Sequence, residues 1–153
     1  QLLLTLGAEK YGAPATVDKG ISVVRDWLTL KGLDFPELVI ENGSGLSREE
    51  RISARHLGQL LLKSYDSPYM PEFLASLPIL ATDGTQRLRQ GGVLAGRAHL
   101  KTGSLSNVRA QAGVVLTESG KRVVVVILHN DGRADTSGEA AQTALLSWVS
   151  SQL

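Results

Sequence analysis

The segment Lys101-Thr102-Gly103-Ser104 combines residue types that could bind a carboxylate at the edge of a strand. A lysine ammonium supplies positive potential, and a neighbouring hydroxyl can donate a hydrogen bond to the carboxylate. The glycine lets a peptide approach closely, and the backbone of such an edge can pair with an extended ligand. A Lys-Thr-Gly triplet also occurs by chance, as a solvated strand end with a surface lysine. The triplet alone is therefore compatible with a carboxylate-binding site and also with an ordinary exposed strand end.

A second segment of interest is the Gly- and Ser-dense stretch NGSGLSR, residues 42–48. It follows a predicted strand and precedes a predicted helix. The alternative to a functional role is a simple connector in which its two glycines adopt positive φ.

Composition excludes several classes of protein. The chain has 153 residues, 42% of them hydrophobic and 20% charged, with a net charge of +1, which is typical of one globular domain. No concentrated basic stripe indicates nucleic-acid binding, and no apolar run of about 18 residues indicates a membrane span. Cysteine is missing, and the three histidines have no metal-ligand spacing. We therefore expect neither a metal nor another cofactor.

The first residues predict the middle of a helix. Leu2, Leu3, Leu4 and Leu6 are consistent with its buried side, and Gly7 is consistent with its end. No Ser, Thr, Asp or Asn precedes them to cap the first turn. We therefore expect the chain to start inside a helix, as a piece of a longer protein.

Further elements follow from apolar spacing. Helical periodicity predicts a helix over 16–30 that stops at Gly32, and residues 37–41 predict a short strand. Ser53 is the preferred N-cap of the next helix, and a capping box of Ser47 with Glu50 is the competing start.

The second half of the chain predicts a sheet and a closing helix. Residues 82–97 predict a long irregular loop, and AQAGVVLT and RVVVVILHN predict a β-hairpin whose second strand is buried on both faces. The side chains expected in the core of the last helix are Ala141, Leu145, Leu146 and Val149, and Trp27 and Trp148 are expected to be core aromatics. The fold class is α+β, with helices packed on a largely antiparallel sheet.

Four segments in this order resemble one enzyme family: ENGSGLSR, the helix ISARHLGQLL, the turn Asp83-Gly84-Thr85 and HLKTGSL. They are similar to the low-molecular-mass penicillin-binding proteins of the D-Ala-D-Ala carboxypeptidase/endopeptidase type, the peptidase S13 or penicillin-binding-protein-4-like group. The resemblance runs from Leu2 to about Leu146, and the family usually has Asp at the position of Asn42. It implies that residues 1–153 are the C-terminal portion of a penicillin-binding, β-lactamase-like transpeptidase domain.

The resemblance also implies an activity. Such enzymes hydrolyse the terminal D-Ala-D-Ala bond or the peptide cross-links of peptidoglycan and are acylated by β-lactams, using Ser-x-x-Lys, Ser-x-Asn and Lys-Thr-Gly motifs. In this chain no Ser is followed three residues later by Lys, and none stands two residues before an Asn. We therefore expect the nucleophile upstream of these 153 residues. The implied partners are peptidoglycan peptides, β-lactams and the missing N-terminal part, and the implied location is the periplasm.

The resemblance places six residues in the site, namely Lys101, Thr102, Gly103, Ser104, Leu105 and Leu46. Lys101 is the expected catalytic residue, and Thr102 and Ser104 are expected to hold the terminal carboxylate of the substrate. The family places one oxyanion donor on this strand, at about the second residue after Gly103, which is Leu105 here. Leu105 and Leu46 are also expected to be apolar walls for the substrate side chain.

Two other classes of function remain at this point. One is a non-catalytic module that binds a peptide or glycan at the Lys-Thr-Gly strand edge, and the other is an unrelated structural domain with a coincidental triplet. His99 lies near the triplet in sequence, but a packed or solvent-facing histidine is the preferred interpretation.

Overall fold

The computed structural model describes residues 1–152, which divide into two compact units. Unit 1 is Gln1–His56, and unit 2 begins at Leu57. The elements are helices α1 (Leu2–Tyr11), α2 (Val17–Leu30), α3 (Ala54–Tyr65) and α4 (Met70–Ala75), strands β1 (Ala98–Leu105), β2 (Val108–Leu116) and β3 (Arg122–Asn130), and helix α5 (Ala134–Gln152). The predicted α+β class is confirmed.

Helix α1 runs through Gly7 instead of ending there, so that prediction was wrong. The reason is close packing of α1 on α2: a Cβ at Gly7 would lie 2.7 Å from the nitrogen of Gly20, and one at Gly20 would lie 2.3 Å from the carbonyl oxygen of Leu3. The glycine is therefore a contact surface within the helix and not a stop signal. Leu2 is 83% exposed and Leu6 is also exposed, whereas Leu3 and Leu4 are half-buried, so the expected buried side was only partly correct.

The start of α2 and its stop follow the prediction. The hydroxyl of Thr16 accepts the N–H of Lys19 at 3.3 Å, and Gly32 has a φ of 71° just beyond the last turn. Trp27 on this helix is exposed instead of in the core. The predicted strand over 37–41 was wrong, because among residues 1–152 this segment forms a single isolated bridge, between Val39 and Arg51, and no ladder.

Unit 2 is built on a three-stranded antiparallel sheet in the order β1-β2-β3. The predicted β2–β3 hairpin is confirmed. Ser106 and Asn107 join β1 to β2 in a two-residue turn, in which Asn107 has a φ of 63°. The residues between α4 and β1 form the expected irregular loop, with two short 3₁₀ turns at Gly84–Gln86 and Gly92–Leu94.

The core of unit 2 lies where α5 packs on the sheet. It consists of Leu80, Leu94, Ala98, Leu100, Val115, Val125, Leu146 and Val149. Leu146 and Val149 were predicted to be there, whereas Ala141, Leu145 and Trp148 are exposed, because the buried stripe of α5 passes through Gly138 and Gln142 instead. Strand β3 is buried only at Val125, is exposed at Arg122 and Asn130, and is half-buried elsewhere, so the expected burial on both faces was also wrong.

Candidate active site

The outer edge of β1 is covered over its first half. The N–H of Leu80 donates to the carbonyl oxygen of Ala98 at 2.9 Å, and the N–H of Leu100 donates to Pro78 at 2.8 Å. The side-chain amide of the fully buried Gln86 then donates to the carbonyl oxygen of Leu100 at 3.2 Å. This amide takes the place of a backbone N–H from a neighbouring strand. The part of the β1 edge that is already hydrogen-bonded therefore ends at Leu100.

The second half of the same edge is open. Because N–H and C=O groups of alternate residues point to the same side of a strand, those of Thr102 and Ser104 follow Leu100 on the outer edge. Within residues 57–152, no strand other than β2 pairs with β1 beyond Leu100. The ammonium of Lys101 donates to the carbonyl oxygen of Thr102. The positive charge of the triplet therefore lies at the open edge.

The register corrects one detail of the sequence prediction. Leu105 pairs with Val108 next to the two-residue turn, so its N–H faces β2 and is not offered to a ligand. The N–H on the open edge is that of Ser104. The side chain of Leu105 is half-buried, and its role as an apolar wall stays a prediction.

Two residues of the site, Thr85 and Gln86, were given no role from the sequence, although Thr85 belongs to the turn that was part of the family resemblance. The hydroxyl oxygens of Thr102 and Thr85 form a hydrogen bond of 3.1 Å, and Gln86 is the residue that ends the covered edge. Thr85 and Gln86 both belong to the 3₁₀ turn that follows Asp83. The Asp-Gly pair at its start predicted a turn, but nothing local indicated that the turn packs on β1.

The far end of β1 is fixed by an ion pair. The guanidinium of Arg109 donates to the carbonyl oxygens of Leu105 and Val108, both at 2.8 Å, and lies 2.8 Å from the carboxylate of Asp135. That carboxylate also accepts the N–H of Asn107 at 3.2 Å. The start of α5 therefore holds the β1–β2 turn.

The Gly/Ser-dense turn lies in unit 1 and carries Leu46, whereas the other five predicted site residues lie together on β1 in unit 2. Leu46 is 75% exposed. Gly43 and Gly45 have φ values of 67° and 74°, which is the conformation expected of a connector. The side-chain oxygen of Asn42 accepts the N–H of Ser44 at 2.8 Å, a bond that an aspartate would make equally well.

Unit 1 also contains a serine, a histidine and a glutamate in contact, the residue types of a hydrolase triad. The hydroxyl of Ser53 accepts the backbone N–H of His56 at 3.2 Å and so caps α3, as predicted. Hydrogen bonds from Ser53, and then one from the His56 ring at 2.7 Å, lower the pKa of Glu37 from 4.5 to about 2. The imidazole stacks on Phe35 at 4.8 Å. The serine hydroxyl caps α3 and the imidazole contacts Glu37, so these contacts of the cluster support the structure.

The histidine closest to the triplet in sequence, His99, makes a structural contact. The Nδ1 atom of His99 lies 3.1 Å from the carbonyl oxygen of Leu74, in agreement with a packed histidine. Among residues 1–152, no three His, Asp or Glu side chains gather in a way that could hold a metal ion. No helix in the same range is both long and apolar enough to cross a membrane.

The match to a family covers the described chain. The model of the D-Ala-D-Ala carboxypeptidase 3 (S13) family matches residues 1–152. The chain belongs to this family. It is 32% identical over 150 residues to the D-alanyl-D-alanine carboxypeptidase of Actinomadura sp. (strain R39), and 30% identical over 145 residues to carboxypeptidase DacB of Mycolicibacterium smegmatis. These matches cover 94% and 90% of this chain but only 27% and 31% of the relatives.

Solved structures support the fold. Penicillin-binding protein 4 (dacB) from Haemophilus influenzae is similar with a TM-score of 0.85 at 24% identity, over 97% of this chain and 35% of that one. A penicillin G-acylated predatory endopeptidase from Bdellovibrio bacteriovorus gives a TM-score of 0.70 at 21% identity, over 99% of this chain and 45% of that one. The fold is therefore that of part of a penicillin-binding protein.

Proposed function

We propose that this chain is the Lys-Thr-Gly-bearing C-terminal portion of a serine-type D-Ala-D-Ala carboxypeptidase/endopeptidase that acts on peptidoglycan peptides and is acylated by β-lactams. The observation that carries the proposal is the open half of β1, with the ammonium of Lys101 beside it, in a chain of the S13 family. The names of the relatives support it, since they are D-alanyl-D-alanine carboxypeptidases.

The open edge has the groups that a peptide ending in a carboxylate requires. The Lys101 ammonium supplies positive potential, and the hydroxyls of Thr102 and Ser104 donate to the carboxylate. Gly103 lets the ligand backbone come close. The N–H of Ser104 would donate to the carbonyl oxygen that becomes the oxyanion during acylation, and such donors stabilise the transition state. The side chains of Leu105 and Leu46 are proposed as the apolar walls of the substrate pocket.

The nucleophile is proposed to lie in the missing N-terminal part of the parent protein. A serine oxygen would form the new bond to the carbonyl carbon, pass its proton to a neighbouring lysine, and expel the D-Ala amine, which takes up a proton. That N-terminal part is the proposed intramolecular partner of this chain. The outer edge of β3 supports this, because over Arg122–Asn130 it pairs only with β2 among residues 1–152. The proposed location, the periplasm, follows from the substrate.

Labelling with a fluorescent penicillin tests the proposal. We expect covalent labelling of the full-length protein, and a fall of roughly 100-fold in the acylation rate for Lys101→Ala, on the scale of losing one transition-state donor. Lys121→Ala is the matched control, because this lysine is exposed on the β2–β3 turn. The 153-residue chain alone should remain unlabelled.

The same experiment separates the proposal from a non-catalytic binding module. A full-length protein that binds a D-Ala-D-Ala peptide without ever being acylated would be such a module. A Lys101→Ala variant with a normal acylation rate would remove this lysine from the site.

A further inference from the structure

The turn that packs on the outside of β1 brings a second hydroxyl to the proposed carboxylate site. Thr85 lies in the 3₁₀ turn Gly84–Gln86, and its hydroxyl oxygen is 3.1 Å from that of Thr102. We propose that Thr85 is a positioning residue, which orients the hydroxyl of Thr102 and makes it a better donor to the substrate carboxylate. This inference rests on the function proposed above.

The turn is held rigidly against the strand. The carboxylate of Asp83 accepts the N–H of Ile79 at 2.6 Å, and the N–H of Asp83 donates to the carbonyl oxygen of Ile79 at 3.2 Å. The carbonyl oxygen of Gln86 accepts the N–H of Ala81 at 3.1 Å, and its buried side chain donates to Leu100. Thr85 therefore sits between two anchored residues, one of which is bonded to β1 itself.

The direction of the hydroxyl hydrogen bond gives Thr85 its role. In the structure, the hydroxyl of Thr102 donates to the hydroxyl of Thr85. A hydroxyl has one donor and two acceptor positions, and its proton can rotate. When a carboxylate arrives, Thr102 must turn its proton to the ligand, and Thr85 can then donate its own proton to Thr102. The same pair of oxygens would then stay hydrogen-bonded, with the donor and the acceptor exchanged.

This reversal makes a short chain from Thr85 through Thr102 to the carboxylate. Hydrogen bonds in such a chain polarise one another, and a donor that itself accepts a hydrogen bond becomes stronger. A charged acceptor gains more from this than a neutral one, since hydrogen bonds to ionised groups are roughly twice as strong. The contribution of Thr85 should therefore depend on the charge of the ligand.

The test compares two ligands on the full-length protein. Acylation rates are measured with a penicillin and with its methyl ester, which lacks the negative charge. Thr85→Val should lower the rate with the penicillin by about tenfold and the rate with the ester by less than about twofold, the scale of one hydrogen bond to a charged group. Thr85→Ser, which keeps the hydroxyl, should restore the rate.

Thr82→Val is the matched control. Thr82 lies in the same loop, but its hydroxyl donates to the carbonyl oxygen of Leu80 at 3.3 Å and does not reach β1. It should react like the wild type with both ligands, and all variants should melt at similar temperatures.

The outcomes separate this inference from the function on which it rests. If neither ligand acylates the wild type, the proposed function is overturned, and this inference falls with it. If the wild type is acylated and Thr85→Val is acylated at the same rate, only the inference is overturned. It is also overturned by a Thr85→Val variant that loses the same factor with the penicillin and with the ester, because a merely structural role would affect both ligands equally.

Discussion

Replacing Gly113 by alanine should separate the two strands that form the candidate site. Gly113 lies on β2 opposite Leu100, the last covered residue of β1. A Cβ at this position would lie 2.0 Å from the carbonyl oxygen of His99 and 3.0 Å from the Cα of Leu100. The three atoms nearest to this Cβ would all be backbone atoms, so rotation of a side chain cannot relieve the clash. The strands themselves would have to move.

The magnitude follows from that clash. Real Cβ atoms essentially never approach a heavy atom closer than 3.0 Å, so β1 would have to shift by about 1 Å at His99. Overpacking of this kind costs about 1–3 kcal/mol of unfolding free energy. Lys101 follows Leu100 directly, and a misplacement of about 1 Å can lower a catalytic rate by roughly 100-fold.

Urea unfolding and penicillin acylation of the full-length protein measure the two effects. Gly58→Ala is the matched control, because Gly58 lies inside α3 and its Cβ would meet nothing closer than Val126 at 3.8 Å. This variant should be neutral or up to about 1 kcal/mol more stable, since alanine favours a helix. A Gly113→Ala variant with wild-type stability and acylation would refute the reasoning.

Three further substitutions probe separate parts of the molecule. Ser104→Pro removes the N–H on the open edge without breaking a ladder bond, so unfolding should change little while acylation falls by roughly 100-fold or more; a normal rate would exclude this N–H as the oxyanion donor. Glu37 has a pKa lowered to about 2 by Ser53, so its contribution is complete above pH 4.5 and is lost between pH 4.5 and 2. Glu37→Gln should flatten the pH dependence of the unfolding free energy in that interval, and an unchanged profile would contradict the assignment. Asp135→Asn weakens the partly exposed pair with Arg109 and should cost less than about 1 kcal/mol in urea unfolding, whereas a larger loss would show that the pair matters more than its exposure implies.

The parts of the fold that depend on residues close together in the sequence could be predicted from it. The start of α3 follows from the hydroxyl of Ser53, and the β2–β3 hairpin follows from two apolar runs and a short turn. The end of α1 could not be predicted in this way, because Gly7 is needed for contact with Gly20, thirteen positions away.

The candidate site shows the same division. The triplet at Lys101 pointed to a strand edge, and the structure has that edge. Which N–H faces outward depends on the register of β1 against β2, which the turn at Asn107 sets, and that turn was missed. The roles of Thr85 and Gln86 depend on how a loop packs on the strand, which no local pattern encodes.

The amide of Gln86 also acts as a stop that fixes how a ligand can lie. An extended chain added to β1 can run past Ser104 and Thr102, but at Leu100 it meets a position already occupied by the amide and, behind it, by Pro78. It must end or turn away there. On an ordinary strand edge, a ligand could shift by two residues along the strand and keep the same side chains on each face. On β1, a shift toward Leu100 would cost the ligand hydrogen bonds, because the backbone groups there are already paired. On the proposed function, the alignment of a peptide along this edge would therefore be set by Gln86 and Pro78.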